Sequence, residues 1–478
     1  MEKIIVKYIC YIIILIIYNN NSNEYLCRAE NMNILGIVTS TSISNHIHAL
    51  ALFDYLAATG NSVTVISPFS QTRRINHISL EDLLEENAKD KTPQQQFPNS
   101  NQNDLMNNKE IKYFNLYNKY KKGLERTATV VQHKNFTELI MIRRPPLFIN
   151  LIILDYDYNE ALIGLGAIYN CPVFILSKGE PRGLIDPLYM LSSTNSDNEN
   201  WFDNISNAFD LMMEKFYVNY IYFKKHEKLF NQFNFHQKNL SFSKLLEQHL
   251  SKIFITSISI QNPFITITDN EDVTGFHIND RRQSYLQKSY INKFPETLEN
   301  FIHSSNNGII YVSFGNDFMR NISENQINKI IMVLKRRKEK IIWSCNGGEN
   351  LKKNLLKSQL LQPITKFYIS DWLPQTTIME HSNIKLFLTN CGHLSLIESI
   401  YFEIPILGLP YTNDEKILCN NIINNWRIGE ILYYENFTIY EMNKTIEYIL
   451  DINSKFYMIN VQNKSLQIND KIISTKKF

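Results

Sequence analysis

The sequence predicts an α/β protein of two facing parallel-sheet domains with a cleft between them. Three observations lead there. The chain has 478 residues, too many for one ordinary domain. Short apolar runs alternate with helical patterns in both halves, as in strand–helix–strand units. A polar, charged stretch near residues 268–300, with Asp280-Arg281-Arg282 and Pro295, separates the two series.

The first series opens with Asn33–Thr39, a bounded apolar run that reads as a buried strand. A Ser/Thr loop follows. Asn45 to Ala58 then places Leu50, Phe53 and Ala57 at helical spacing, and Gly60 stops the helix. Ser62–Ile66 is a second strand. Residues 87–110 form a polar surface excursion. Asn150–Asp155 and Pro172–Leu176 are strands flanking a helix over Glu160–Tyr169. Residues 201–249 are helical and aromatic-rich.

The second series begins with the strand Ile309–Ser313, ended by Phe314-Gly315. A helix follows over Glu324–Lys338, then a strand over Lys340–Trp343. Phe367–Ser370 leads into Asp371-Trp372-Leu373-Pro374-Gln375. Ile384–Thr389 is a strand, Leu394–Phe402 a helix and Pro405–Leu409 a strand ending at Pro410.

Composition excludes several classes. Lys+Arg 49 against Asp+Glu 47 leaves a net charge of +2, so the chain is no polyelectrolyte partner of nucleic acid. Six cysteines in this length, none in a CxxC pair, do not make a disulfide scaffold or a zinc site. No P-loop, HExxH or GxSxG is present, and Gly164-Leu165-Gly166 lacks the third glycine of a dinucleotide loop.

At the N-terminus, Lys3 and Lys7 precede the apolar run Tyr8–Tyr18, which fits a secretory signal over residues 1–24; an uncleaved signal anchor is the alternative. In a secretory-pathway chain, retained in the endoplasmic reticulum lumen or secreted, the Asn-x-Ser/Thr sites at Asn135, Asn204, Asn239, Asn321, Asn436, Asn443 and Asn463 become candidates for glycosylation. The basic end, Ile472–Phe478, carries no C-terminal membrane span.

Two strand–loop–helix junctions carry chemistry, because open α/β sheets bind ligands beyond the C-terminal ends of their strands. In Thr389-Asn390-Cys391-Gly392-His393-Leu394-Ser395-Leu396-Ile397-Glu398, Gly392 permits a tight turn. The amides near Leu394 and Ser395 suit an anion, and Glu398, one turn on, suits a diol. In the other junction Trp372 beside Pro374 offers a flat face and Gln375 an amide edge, a pair suited to a nucleobase. Trp372 alone would read as an ordinary core aromatic; its spacing to Glu398 and Asp414 carries the functional reading.

These residues resemble the signature of the UDP-glycosyltransferase family, which includes glucuronosyltransferases and insect glucosyltransferases. Trp372, Pro374, Gln375, Thr389, Cys391, Gly392, Ser395, Glu398, Pro410 and Asp414 match its pattern, with further matches at Tyr311–Gly315 and Gly275–Ile278. The resemblance implies two Rossmann-like domains of GT-B type: an acceptor-binding domain over 31–265, a linker over 266–300 and a UDP-sugar-binding domain over 301–470. It implies inverting, metal-independent transfer of glucose or glucuronate from UDP-sugar, a co-substrate rather than a cofactor, to a small lipophilic hydroxylated acceptor, as in detoxification.

The resemblance also assigns roles. Trp372 stacks on uracil and Gln375 bonds its edge. Glu398 holds the ribose hydroxyls. The turn Gly392–Ser395 takes the diphosphate, Asp414 bonds sugar hydroxyls, and Gly315 belongs to the same donor site. The base is His46, oriented by Asp155; their bland readings are a polar residue at a helix start and a strand-end loop residue. Asp155-Tyr156-Asp157 also forms a DxD, which in another glycosyltransferase class holds a divalent cation.

Departures from the pattern favour an alternative, a catalytically impaired nucleotide-sugar or lipophile binder on the same fold. Counted back from Gly60 without gaps, the family's base histidine falls on Asn45, which cannot act as a base, and His46 comes next. The family's phosphate-contacting histidine is Asn390, a loss of about 1.5–3 kcal/mol of diphosphate binding. Its final glutamine is Glu415, and its Asn/Ser at the helix start is Leu394.

Overall fold

A computed structural model describes residues 32–40, 43–69, 74–82, 120–141, 148–177, 209, 212–213, 216–232, 250–255, 271–273, 295–315, 318–319, 322–345 and 366–475. The expected signal, the polar excursion over 87–110, Gly275–Ile278 and the sites at Asn204, Asn239 and Asn321 lie outside the described residues. The chain divides into two compact units, Met1–His277 and Ile278–Phe478.

In the first unit, β1 (Asn33–Val38), α1 (Ile43–Ala58) and β2 (Ser62–Ser67) stand where the periodicity puts them, and β3 (Asn76–Ser79) follows. Next come α2 (Lys134–Met141), β4 (Leu151–Asp155), a 3-10 turn over Glu160–Gly164, α3 (Leu165–Tyr169) and β5 (Val173–Ser177). α4 (Phe223–Gln232), β6 (Leu250–Ile255) and β7 (Glu271–Val273) complete it. The seven strands run in the order β3-β2-β1-β4-β5-β6-β7, and every neighbouring pair is parallel. Leu35, Ile37, Ile152, Leu154, Val173 and Ile175 share one buried cluster.

A polar cluster is buried beside β4. Glu160 accepts hydrogen bonds from the hydroxyls of Tyr156, at 2.9 Å, and Tyr222. His226 on α4 accepts the Ala161 N–H at Nδ1, 3.0 Å away, so its Nε2 bears the proton and faces Glu160 Oε2 at 3.6 Å. Burial lowers the imidazole to about 3 and, despite the two tyrosine donors, raises the carboxyl to about 7.

The second unit contains α5 (Glu296–His303), β8 (Ile309–Ser313), α6 (Glu324–Arg336), β9 (Lys340–Ser344), β10 (Phe367–Ser370), α7 (Gln375–Met379), β11 (Ile384–Thr389), α8 (His393–Tyr401) and β12 (Ile406–Gly408). α9 (Asn413–Cys419), β13 (Gly429–Ile431), α10 (Ile439–Glu447) and α11 (Ser454–Thr475) follow. Its six strands are ordered β10-β9-β8-β11-β12-β13, again all parallel. Alternate residues of β8 enter different cores: Ile310 and Val312 pack with α6, Ile309 and Tyr311 with Phe387 and Leu298. That two-sided burial explains the unbroken apolar runs.

Strand β7 and the first five residues of helix α5, Glu296–Asn300, fall inside the stretch expected as a linker. The 22-residue α11 takes in Ile472–Thr475, the first four residues of the stretch read as a basic end. Its Ser465 Oγ donates to the Tyr401 carbonyl at 3.2 Å and Asn460 to the Arg427 carbonyl at 2.9 Å, while Lys464 lies 4.8 Å from the Trp426 ring centre. No helix among the described residues is long and apolar enough to cross a membrane.

Candidate functional site

In each sheet the strand order reverses at one place, between β1 and β4 and between β8 and β11. Loops leaving such a pair part to opposite faces of the sheet, which opens a crevice at the strand ends. In the second unit Thr389 of β11 pairs with Ser313 of β8. The loops beyond them hold Gly315 and Asn390. Gly315 sits at φ +72°, and a Cβ there would stand 3.5 Å from the Asn390 amide nitrogen.

Cys391, at φ +65°, turns the chain into α8. Gly392 is the cap residue, and no side chain caps the helix. The Leu396 N–H returns to the Gly392 carbonyl at 3.0 Å. The amides of the turn before it, His393 to Ser395, therefore gain no partner within the helix and present a positive end. The sequence analysis assigns an anion to these amides.

One turn further on, the site holds a hydrogen-bond chain. Gln375, the first residue of α7, donates its amide nitrogen to Glu398 Oε2 at 2.6 Å and to Ser395 Oγ at 3.2 Å. Its carbonyl oxygen lies 3.4 Å from the Tyr311 hydroxyl. Glu398 is buried, and loss of water raises its carboxyl to about 7, the Gln375 bond offsetting only part. Trp372, three residues before Gln375, is half-buried, and its carbonyl accepts the Ser370 hydroxyl at 3.1 Å. The sequence reading gave Gln375 to a base edge and Glu398 to a ribose; the structure puts the two side chains in direct contact.

Asn390 and Glu415 are also partners. The Asn390 amide donates to Glu415 Oε1. Oε2 accepts the N–H groups of Tyr411 at 2.9 Å and Thr412 at 2.7 Å, while Thr412 Oγ1 accepts the Glu415 N–H at 3.3 Å. Thr412-x-x-Glu415 is thus a capping box at the start of α9. Burial raises this carboxyl, and its donors pull the other way. Asp414 belongs to α9, but its side chain is outside the described residues.

Beside this pair Cys391 and Cys419 form a disulfide, with Cα atoms 5.6 Å apart. Their 28-residue separation carries no sequence signal. The Thr-x-x-Glu capping pattern, by contrast, was visible in the sequence.

In the first unit, β1 lies between the two other strands that matter. Ser67 ends β2 and Asp155 ends β4, opposite Val38. His46, on α1, is buried, with Nδ1 3.2 Å from Ser67 Oγ and its ring centre 5.0 Å from that of Phe69. Ser67 Oγ also accepts the Phe69 N–H at 3.0 Å. Asp155 is fully buried. Asn159 fastens this corner, donating to the Asp155 carbonyl and to Thr39 Oγ1, both at 2.9 Å. Ser67 and Asn159 had no motif to announce them. Asp157, the second acid of the DxD, forms an ion pair with Arg126. Among the described residues no three His, Cys, Asp or Glu side chains are grouped to hold a metal.

Comparison with known proteins agrees with this fold. The family model described as UDP-glucoronosyl and UDP-glucosyl transferase matches residues 173–474. "UDP-glycosyltransferase UGT4" of Dactylopius coccus is 25% identical over 419 residues, covering 83% of this chain and 74% of the relative. The human 2-hydroxyacylsphingosine 1-beta-galactosyltransferase is 26% identical over 234 residues, covering 48% and 39%. Among solved structures, that of UDP-glucose: anthocyanidin 3-O-glucosyltransferase in complex with UDP superimposes with a TM-score of 0.56 at 14% identity, over 94% of this chain and 98% of the other, which shows a shared fold.

Proposed function

Because the chain belongs to the UDP-glucoronosyl and UDP-glucosyl transferase family, we propose that it transfers a hexosyl group from a UDP-hexose to a small lipophilic hydroxylated acceptor, with inversion. The observation that carries this reading is the Gln375–Glu398 contact one turn below the uncapped start of α8. A carboxylate and an amide side by side suit a vicinal diol, and the amides above them suit a diphosphate. Gln375 and Glu398 together hold the ribose, Trp372 stacks on uracil, and Gly315, Asn390, Gly392 and Ser395 line the diphosphate. Asp414 and Glu415 stand on the sugar side.

In the transfer step His46 Nε2 takes the proton of the acceptor hydroxyl as its oxygen attacks the anomeric carbon. The bond from that carbon to the diphosphate oxygen breaks, and UDP leaves. A single displacement inverts the centre. A base of this kind contributes about 10²–10⁴-fold. Nδ1 lies 3.2 Å from Ser67 Oγ; the tautomer in which Nδ1 donates there leaves Nε2 the lone pair this step needs. Asp155 stabilises the imidazolium that results.

The disulfide supports a secretory-pathway location, since such bonds persist in oxidising compartments. Of the glycosylation candidates, Asn436 is exposed, whereas Asn135 already donates its amide to the Ser79 carbonyl at 2.8 Å.

Titration calorimetry with UDP, followed by UDP release with a panel of phenols in the presence of a chelator, tests the whole reading. Absence of UDP uptake sinks it. Uptake without turnover favours the non-catalytic binder, and turnover lost on chelation would remove the metal-independent assignment. His46→Ala retaining full turnover would remove the base.

A further inference from the structure

The disulfide joins two segments that meet at the strand ends of the second sheet. Cys391 lies between Asn390 and Gly392, in the turn that opens α8. Cys419 is the last residue of α9, the helix that carries Glu415. Both sulfurs are buried. The same two segments are tied a second time by the Asn390–Glu415 hydrogen bond.

The strand beneath is shaped to receive the bridge. Gly408, the last residue of β12, pairs with Thr389 of β11. A Cβ at Gly408 would stand 2.6 Å from the Cys419 sulfur and 2.7 Å from the Cys391 sulfur. The bridge thus occupies the space of a missing side chain, and no larger residue fits without displacing it.

We propose that the Cys391–Cys419 disulfide is a positioning cross-link for the donor site, fixing the turn Asn390–Ser395 against α9; this rests on the reading above that the turn takes the diphosphate. The bond forms by thiol–disulfide exchange with an oxidised carrier such as glutathione disulfide. One cysteine loses its proton and attacks the carrier's S–S bond, releasing a carrier thiol. The second thiolate then displaces the remaining carrier sulfur. The cysteine pair loses two electrons and two protons, and the carrier becomes two thiols. Without the bridge, the turn keeps one hydrogen-bonded tie to α9 and its amides lose their fixed aim.

The test uses the full chain expressed in an oxidising compartment. Peptide mapping without reductant is expected to recover residues 391 and 419 in one cross-linked species. Dithiothreitol is expected to raise KM for UDP-glucose by about tenfold or more, with a smaller change in kcat, as a misaimed binding group does. The Cys391→Ser/Cys419→Ser variant should start at that weaker KM and no longer respond to the reductant. Gly408→Ala, which leaves both cysteines in place, should shift KM the same way. Free thiols at both positions in the mapped protein overturn the proposal. So does a double variant whose KM stays within twofold of wild type. Failure of unreduced wild type to take up any UDP overturns the donor-site reading and the positioning role with it, while the mapped peptide still decides the cross-link.

Discussion

The side-chain amide of Asn390 donates to a carboxylate oxygen of Glu415, 25 residues further along the chain. Taken singly, each residue departs from the family pattern toward weaker anion binding. Together they satisfy each other, and the carboxylate's other oxygen is occupied by two backbone N–H groups. The pair is a structural clasp, and it accounts for two of the four departures that favour an impaired binder.

Asn390→Asp sets two carboxylates against each other in a half-buried place. Stability is expected to fall by about 1–3 kcal/mol, the cost of an unsatisfied buried group. Adding Glu415→Gln restores a donor–acceptor pair of opposite sense. A double-mutant cycle by thermal unfolding should therefore give a favourable coupling energy, and strict additivity would show that the contact carries no energy.

Glu398 sets a pH dependence whose sign can be worked out. Burial raises its carboxyl from 4.5 to about 7, so the empty fold prefers the protonated form. Its stabilising contribution is complete below pH 4.5 and is lost as pH rises through 7. A ribose diol donates hydrogen bonds and so prefers the carboxylate. UDP-glucose affinity should rise between pH 5.5 and 8, with an inflection near 7. Calorimetry on Glu398→Gln should find weaker binding and a flat profile.

Trp372→Ala should weaken UDP binding by about 1–3 kcal/mol, the worth of one aromatic–base stack, and Trp372→Phe should recover part of it. Thermal unfolding without ligand separates this from a core defect. A midpoint unchanged while affinity falls locates the loss at the nucleobase.

The Glu160–His226 cluster predicts acid sensitivity in the first unit. Burial lowers His226 from 6.5 to about 3, so the unfolded chain binds a proton that the fold refuses. The stability it contributes is complete above pH 6.5 and drains away as pH falls toward 3. Glu160 runs the other way, losing its contribution as pH rises from 4.5 through 7. His226→Phe orphans the Ala161 N–H, costing about 1–3 kcal/mol at pH 7.5. The gap between wild type and variant should then close as pH falls from 6.5 to 3.5. A gap that stays constant would show that the imidazole is not held neutral.

The architecture was legible because parallel strands buried on both faces must be apolar throughout. Ile309–Ser313 and Ile384–Thr389 advertise themselves for that reason. β3, with the sequence Asn-His-Ile-Ser, is an edge strand with no such run, and it escaped notice. The helix read over Glu160–Tyr169 begins instead as a 3-10 turn over Glu160–Gly164. At the site, Trp372, Gln375, Gly392 and Glu398 were readable because two loops a few residues long hold them. The Gln375–Glu398 contact, the Asn390–Glu415 clasp and the Cys391–Cys419 bridge join different elements, and only three-dimensional packing brings them together.

Every described strand of both sheets is parallel to its neighbours, so among the described residues neither sheet contains a hairpin to start from. At the centre of the first, Asn33 donates its N–H to the side chain of Asn150, a partner 117 residues away. Such distant pairings form late, because a long loop must close before any contact rewards it. A nascent chain therefore exposes β1 and its greasy neighbours until β4 has been synthesised. Refolding is therefore expected to be slower than that of a fold built from local contacts.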